Sequence, residues 1–195
     1  MDFLNCHEGQ TPLDPDETSG LIPEHIHTLG QLNEWEATNI SKVSKWAYSS
    51  RRSKSIIEIP MLFELHKRMF DETWAWAGKI RYSGKSIGSS PDKIINDLIY
   101  FLKDVEGWIK WKAYDFDEIA YKFHHKLVLI HIFPNGNGRH ARLATDMLLT
   151  EHGQEKFSWG RLSYSSKENA RNEYLKSLRE ADTGNYEQLK KYIRS

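Results

Sequence analysis

Apolar residues recur along most of this chain at helical rather than strand spacing. From Leu29 onward, Leu32, Trp35, Ile40 and Val43 return at roughly one-turn intervals. Leu62, Leu65, Met69 and Phe70 do the same after Pro60. Ser90-Pro91-Asp92 predicts a helix start, with serine as cap, proline at the first position and an acid in the first turn. Ile94, Ile95, Leu98, Leu102 and Val105 then form one face. Asp115 with Glu118 resembles a capping box ahead of Phe116, Ile119, Ala120, Phe123, Leu127 and Ile130. Leu143, Ala144, Met147 and Leu148 form the next face. Ser165 with Glu168 opens a helix carrying Ala170, Tyr174, Leu175 and Leu178, which stops near Gly184. A short helix carrying Tyr186, Leu189 and Ile193 closes the chain.

One stretch departs from this period. Ile80-Arg81-Tyr82, Ser83-Gly84 and Lys85-Ser86-Ile87 predict a short β-hairpin, too small to stand without the helices. Residues 1–28 hold three of the six prolines and little apolar material, so they read as an extended arm. The expected organisation is that arm, a helical extension over 29–57 and a core domain over 58–195. The fold class is mostly α, a single-domain helical bundle with a small hairpin flap.

Composition narrows the function classes. The chain has 195 residues, 27 basic and 27 acidic, for a formal net charge of zero. That balance argues against a long nucleic acid or a polybasic membrane contact as partner. A single cysteine, Cys6, excludes an intrachain disulfide and a multi-thiolate metal site. Apolar runs such as Leu127 to Ile130 are far too short to cross a bilayer, and the start MDFLNCHEGQ has no signal-peptide pattern. A soluble cytoplasmic location is expected.

Chemistry concentrates in His131-Ile132-Phe133-Pro134-Asn135-Gly136-Asn137-Gly138-Arg139-His140-Ala141-Arg142, between two apolar helices. Gly136 and Gly138 flank Asn137 and leave the backbone bare at a helix start, where unpaired N–H groups and the helix dipole favour an anion. Arg139 and Arg142, three apart, project from one helical face toward such an anion. His131, at the other end of the loop, is placed to take a proton from a hydroxyl.

This segment resembles the signature of the Fic family (the Fic/Doc superfamily). The matching residues are His131, Phe133, Gly136, Asn137, Gly138, Arg139 and Arg142. The likeness extends to Lys85-Ser86-Ile87-Gly88, where the family keeps a target-positioning flap, and to the ending ADTGNYEQL. The whole chain looks most like the small bacterial subgroup called mobile mystery protein B. The resemblance implies a Fic-type bundle that moves AMP from ATP to a Ser, Thr or Tyr hydroxyl of a target protein. By it, His131 is the general base. Gly136, Asn137 and Gly138 hold the α- and β-phosphates, Arg139 and Arg142 the outer ones, and Mg²⁺ bridges them. Lys85, Ser86, Ile87 and Gly88 line the flap.

Two departures accompany the likeness. Asn135 stands where active members carry an acidic Mg²⁺ ligand, so it is a weak candidate for that role. A Doc-like phosphotransferase or other nucleotide-fragment transferase, and a nucleotide-binding or interaction module with little catalysis, therefore remain as alternatives. The family's inhibitory pattern of Ser or Thr, three residues, Glu, then Gly or Asn finds no match in the N-terminal part. Restraint is expected from a separate antitoxin-like regulator or from the extension itself. The likeness also implies a bacterial, toxin-like role.

Other features are read as structural. His124, His125, His131 and His140 fit no standard zinc spacing. Arg51-Arg52-Ser53-Lys54 reads as a solvated loop. Trp74-Ala75-Trp76-Ala77-Gly78 reads as core packing beneath the flap.

Overall fold

Thr28 starts the first helix by a reciprocal cap. Its hydroxyl accepts from Gln31 N at 3.2 Å, and the Gln31 side chain accepts from Thr28 N at 3.0 Å. The computed structural model describes residues 18–49, 54–85, 87–160 and 167–195, and the helices below are those of the described residues. They are α1 (Leu29–Ala47), α2 (Ile59–Phe70), α3 (Ile94–Trp111), α4 (Phe116–Ile130), α5 (Asn137–Glu151), α6 (Lys167–Asp182) and α7 (Glu187–Ile193). A 3₁₀ turn, Pro91–Lys93, leads into α3 and absorbs the start expected at Pro91. Asp115 caps α4 as expected, accepting from Glu118 N at 2.7 Å. The Ser165 cap and Cys6 lie outside the described residues.

The α4–α5 pair is the centre of the molecule. Ile119, Phe123, Leu127 and Ile130 of α4 and Ala141, Ala144, Met147 and Leu148 of α5 join one apolar cluster, shared with α1, α2 and α3. Ala120 and Tyr121 of α4 and Leu149 of α5 turn into a second cluster with Phe157, Trp159, α6 and α7. Helices with apolar residues on several faces belong inside a domain, and here they form the wall between the two clusters. The loop joining them is thereby fixed at both ends.

The inward row of α1 is Leu32, Glu36, Asn39, Val43 and Ala47, so two polar residues face the core. Asn39 lies 3.0 Å from the Thr73 hydroxyl. At the far end of α5, Glu151 accepts from Ser55 Oγ at 2.7 Å and from Ile56 N at 3.2 Å, which ties the start of α2 to the core. The described part of the arm runs beside the segment after α2. Ile22 N donates to Thr73 O and Ala75 N to Gly20 O, both at 2.9 Å. Leu21 and Trp74 form an isolated antiparallel bridge.

The expected hairpin does not appear as strands among the described residues, and Ser86 lies outside them. Among the described residues, the backbone of each arm bonds to the end of α4. Arg81 N donates to Ile132 O and Ser89 N to Ile130 O, both at 3.1 Å. The buried Arg81 guanidinium fills the space between the arms, donating to His131 O at 2.5 Å, to Ser83 O at 2.9 Å and to Ser89 O. A side chain thus replaces the ladder.

Candidate functional site

His131 ends α4 in the left-handed conformation, at φ 55. A non-glycine residue there costs about 1–2 kcal/mol, so the surroundings must hold it. Arg81 does so through the His131 carbonyl. Gly88 of the flap does so by contact: a Cβ on Gly88, at φ +104, would lie 2.6 Å from the His131 Cβ. Burial lowers the His131 pKa to about 4, aided by the charges of Arg81 and Lys85 and opposed by a hydrogen bond with the Val128 backbone. The imidazole is neutral at pH 7 and able to accept a proton.

The next residues are locked by side chains. Asn137 Oδ1 accepts from Phe133 N at 2.9 Å, and Asn137 Nδ2 donates to Phe133 O at 2.7 Å. His66, on α2, works from the other side. Its Nδ1 accepts from Gly78 N at 3.0 Å, so its Nε2 carries the proton and donates to Asn135 O at 3.0 Å. Its ring stacks on Phe133 at 3.6 Å between centroids. Burial, followed by His140, holds its pKa well below the usual histidine range, which keeps this tautomer neutral. Gly136 has φ +78, and a Cβ there would strike the Phe70 ring at 2.5 Å. Only glycine fits.

Helix α5 opens on this loop. Its first repeating bond is His140 N to Gly136 O, at 2.9 Å. The N–H groups of Asn137, Gly138 and Arg139 precede it and face outward from a helix N-terminus. Arg139 lies over the Phe70 ring at 5.0 Å and Arg142 over the Tyr174 ring at 5.1 Å. The structure therefore joins His131, the glycine loop and both arginines into one site. Flap residues Lys85 and Gly88 reach it from the side, Lys85 through its charge and Gly88 through contact.

A residue that sequence reasoning missed also enters the site. Glu36 of α1 is 3% exposed, and its Oε2 accepts from Arg139 Nη1 at 2.6 Å. Its Oε1 accepts from Trp74 Nε1 at 2.8 Å. The extension thus places a glutamate on the first motif arginine, outside the inhibitory pattern sought in the sequence. Its position in the row Leu32, Glu36, Asn39, Val43 was the available signal.

Comparison with known proteins follows from this geometry. Residues 56–149 match the Fic/DOC family. The chain belongs to that family. It is 31% identical over 140 residues to protein adenylyltransferase fic-1 of Caenorhabditis elegans, covering 68% of this chain and 25% of the relative. The chain thus spans about a quarter of the length of the curated relatives it matches. A solved Fic-1 fragment from C. elegans superposes with a TM-score of 0.63 at 26% identity, covering 91% of this chain and 51% of that one. BepC of Bartonella tribocorum, solved with bound AMPPNP, gives 0.69 at 18% identity, covering 93% and 97%.

The Fic/DOC frame sharpens what is particular here. Asn135 turns its side-chain oxygen back onto Gly136 N at 2.5 Å. Among the described residues no group of three or more His, Cys, Asp or Glu is gathered to hold a metal. One neutral amide that already accepts a hydrogen bond is a poor donor set for Mg²⁺, which favours charged oxygens. The protein side of such a site does not fit the ion. The Asn137 side chain is committed to Phe133, which leaves its backbone N–H to face a ligand.

The remaining histidines have separate partners. His140 Nε2 donates to Leu62 O at 2.9 Å, and burial lowers its pKa to about 4. His124 Nε2 lies 3.0 Å from the Tyr174 hydroxyl, and burial, then Arg142, lowers its pKa to about 3. His125 Nε2 meets Asp182 at 2.8 Å on another side of α4. Trp74 is buried and stacks on Trp76, as core packing requires. Residues 51–53 of the basic run lie outside the described residues. No helix is long and apolar enough to cross a membrane among those described.

Proposed function

We propose that this Fic/DOC domain is a protein adenylyltransferase that moves AMP from ATP to a Ser, Thr or Tyr hydroxyl of another protein. The observation that carries this reading is the neutral, buried His131 set at one end of a rigid loop whose other end is a bare helix N-terminus with two arginines. The names of the C. elegans relatives and the AMPPNP bound to the Bartonella protein support the substrate class.

The chemistry balances with these groups alone. The target hydroxyl oxygen bonds to the α-phosphorus of ATP while the bond from that phosphorus to the bridging oxygen of the β-phosphate breaks. The hydroxyl proton passes to the imidazole of His131, and pyrophosphate leaves. Backbone N–H groups of Asn137, Gly138 and Arg139 take the phosphate oxygens, and Arg139 and Arg142 balance the charge of the leaving group. Lys85, Ile87 and Gly88 place the target chain beside His131, and the target's identity lies outside this geometry. Arg139 must first be released by Glu36, so the extension itself restrains the site.

The test is transfer from ATP labelled at the α- or the γ-phosphate to lysate proteins, followed by mass spectrometry of the modified peptide. Label from the α position alone is expected. Label from γ alone would make the domain a phosphotransferase. No label together with ATP-induced thermal protection would make it a binding module, the reading that Asn135 favours.

A further inference from the structure

The two motif arginines have a neighbour outside the motif. Arg171 sits on α6, one turn before Tyr174 on the same helical face. Tyr174 fixes where that face lies. Its ring underlies the Arg142 guanidinium at 5.1 Å, and a Cβ on Gly138 would lie 3.5 Å from its hydroxyl. Helix α6 therefore runs past the first turn of α5, with Arg171 beside the anion cradle.

Arg171 is poorly served as a structural arginine. Its Nε–H is buried and meets no acceptor. A buried guanidinium donor without a partner is costly unless something else satisfies it. Its surroundings are also of the wrong sign. Burial, then Arg142, then Arg139 hold its pKa below the usual arginine value, with only Tyr174 acting the other way. Arg139 has Glu36 as counter-charge. Among the described residues no ion pair places a carboxylate on Arg142 or on Arg171. Clustered guanidiniums, one with an idle inward donor, are the chemistry of a polyanion site awaiting its ligand.

The position along that ligand also follows. The cations that act on His131 are Arg81 and Lys85, at the hydroxyl end. Those that act on Arg171 are Arg142 and Arg139, at the pyrophosphate end.

We infer that Arg171 is a further phosphate ligand, which takes the outer phosphates of a nucleoside triphosphate through its guanidinium and makes the site select ligands by phosphate count. The inference rests on the adenylyl-transfer reading for the orientation of the nucleotide, but only on Arg171, Arg142 and Gly138 for the anion.

The experiment compares the full chain with Arg171→Gln and Arg171→Lys. Each is titrated calorimetrically with ATP, ADP, AMP and inorganic tripolyphosphate. Arg171→Gln is expected to weaken ATP and tripolyphosphate by about tenfold or more, and AMP by less than about twofold, as for loss of one charge-assisted contact. Arg171→Lys should recover part of the loss, because it restores charge without the fork. Without ligand, Arg171→Gln should melt at the same temperature or higher, since like charges are relieved. Unchanged tripolyphosphate binding in Arg171→Gln would overturn the inference. So would an equal loss of AMP, or a lower melting temperature with all ligands weakened together, which would mark a structural role. If the wild type binds tripolyphosphate through Arg171 but transfers no label from ATP, the adenylyl-transfer reading falls and this one stands. If the wild type binds neither anion, both fall.

Discussion

Glu36 and Arg139 meet at 2.6 Å across 103 residues of sequence, which joins the helical extension to the first arginine of the glycine loop. On the proposed adenylyl-transfer reading a polyphosphate needs that guanidinium, so extension and nucleotide would compete for one side chain. Glu36→Gln keeps an acceptor for Trp74 Nε1 but removes the charge. We predict that it raises ATP affinity and AMP transfer by about ten- to a hundredfold, the range of one charge-assisted bond. Titration with ATP and the labelled-transfer assay check this. An unchanged rate would mean that the pair only fastens α1 in place.

His131→Ala should lower transfer by about 10²- to 10⁴-fold, the usual worth of a general base, while ATP still protects against heat. The pH profile is a second check. With a pKa near 4, His131 is neutral well below pH 6, so the rate should stay level from pH 8 to pH 6 on the acid side. An acid limb centred on 6.5 would place the working base elsewhere.

Gly88→Ala tests the flap. A Cβ at φ +104 is strained and would press on the His131 Cβ at 2.6 Å. Transfer should fall more than about tenfold, because a displacement of the base by even 1 Å is costly. ATP binding, which uses the other end of the loop, should change little. Equal loss of both would mean that the substitution unfolds the loop as a whole.

The sequence pattern made the loop and the helix order legible, because helical periodicity and the glycine-arginine spacing are local properties. The partners of that loop were not legible. Glu36 is a polar residue in an inward row, which a search for apolar positions passes over. His66 reads as one histidine on an apolar helix face, and its two hydrogen bonds reach Gly78 and Asn135 at different distances along the chain. The flap takes its form for a related reason. Arg81 looked like an ordinary strand residue, and nothing local says that its side chain would be buried against the His131, Ser83 and Ser89 carbonyls.

His66→Phe separates the stack from the hydrogen bonds. Phenylalanine can keep the contact with Phe133 but leaves Gly78 N and Asn135 O without their partner. The cost should be roughly 2–6 kcal/mol of stability, one penalty of about 1–3 kcal/mol for each buried group. Urea unfolding checks it, and a loss below about 1 kcal/mol would mean that water reaches both groups.

Acid should weaken the fold before any carboxylate is protonated. His124, with a pKa of about 3, His140, at about 4, and His66, held well below the usual histidine range, are neutral when folded, whereas a histidine in the unfolded chain titrates near 6.5. The unfolded chain therefore binds more protons below pH 6.5. The stability from these groups is complete above that pH and is lost as pH falls toward 4, by about 1.4 kcal/mol per pH unit for each histidine. Urea midpoints at pH 7.5 and pH 5 measure this, and equal midpoints would contradict it.

The paired bonds between Asn137 and the Phe133 backbone close the loop into a ring with no slack. A ring of this kind cannot gain or lose a residue without coming open. It acts as a spacer of one size, and the distance between His131 and the start of α5 is set once; on the proposed reading, that holds for every substrate that enters. Change of specificity must then come from the parts that surround the spacer: the flap, the extension helix and α6.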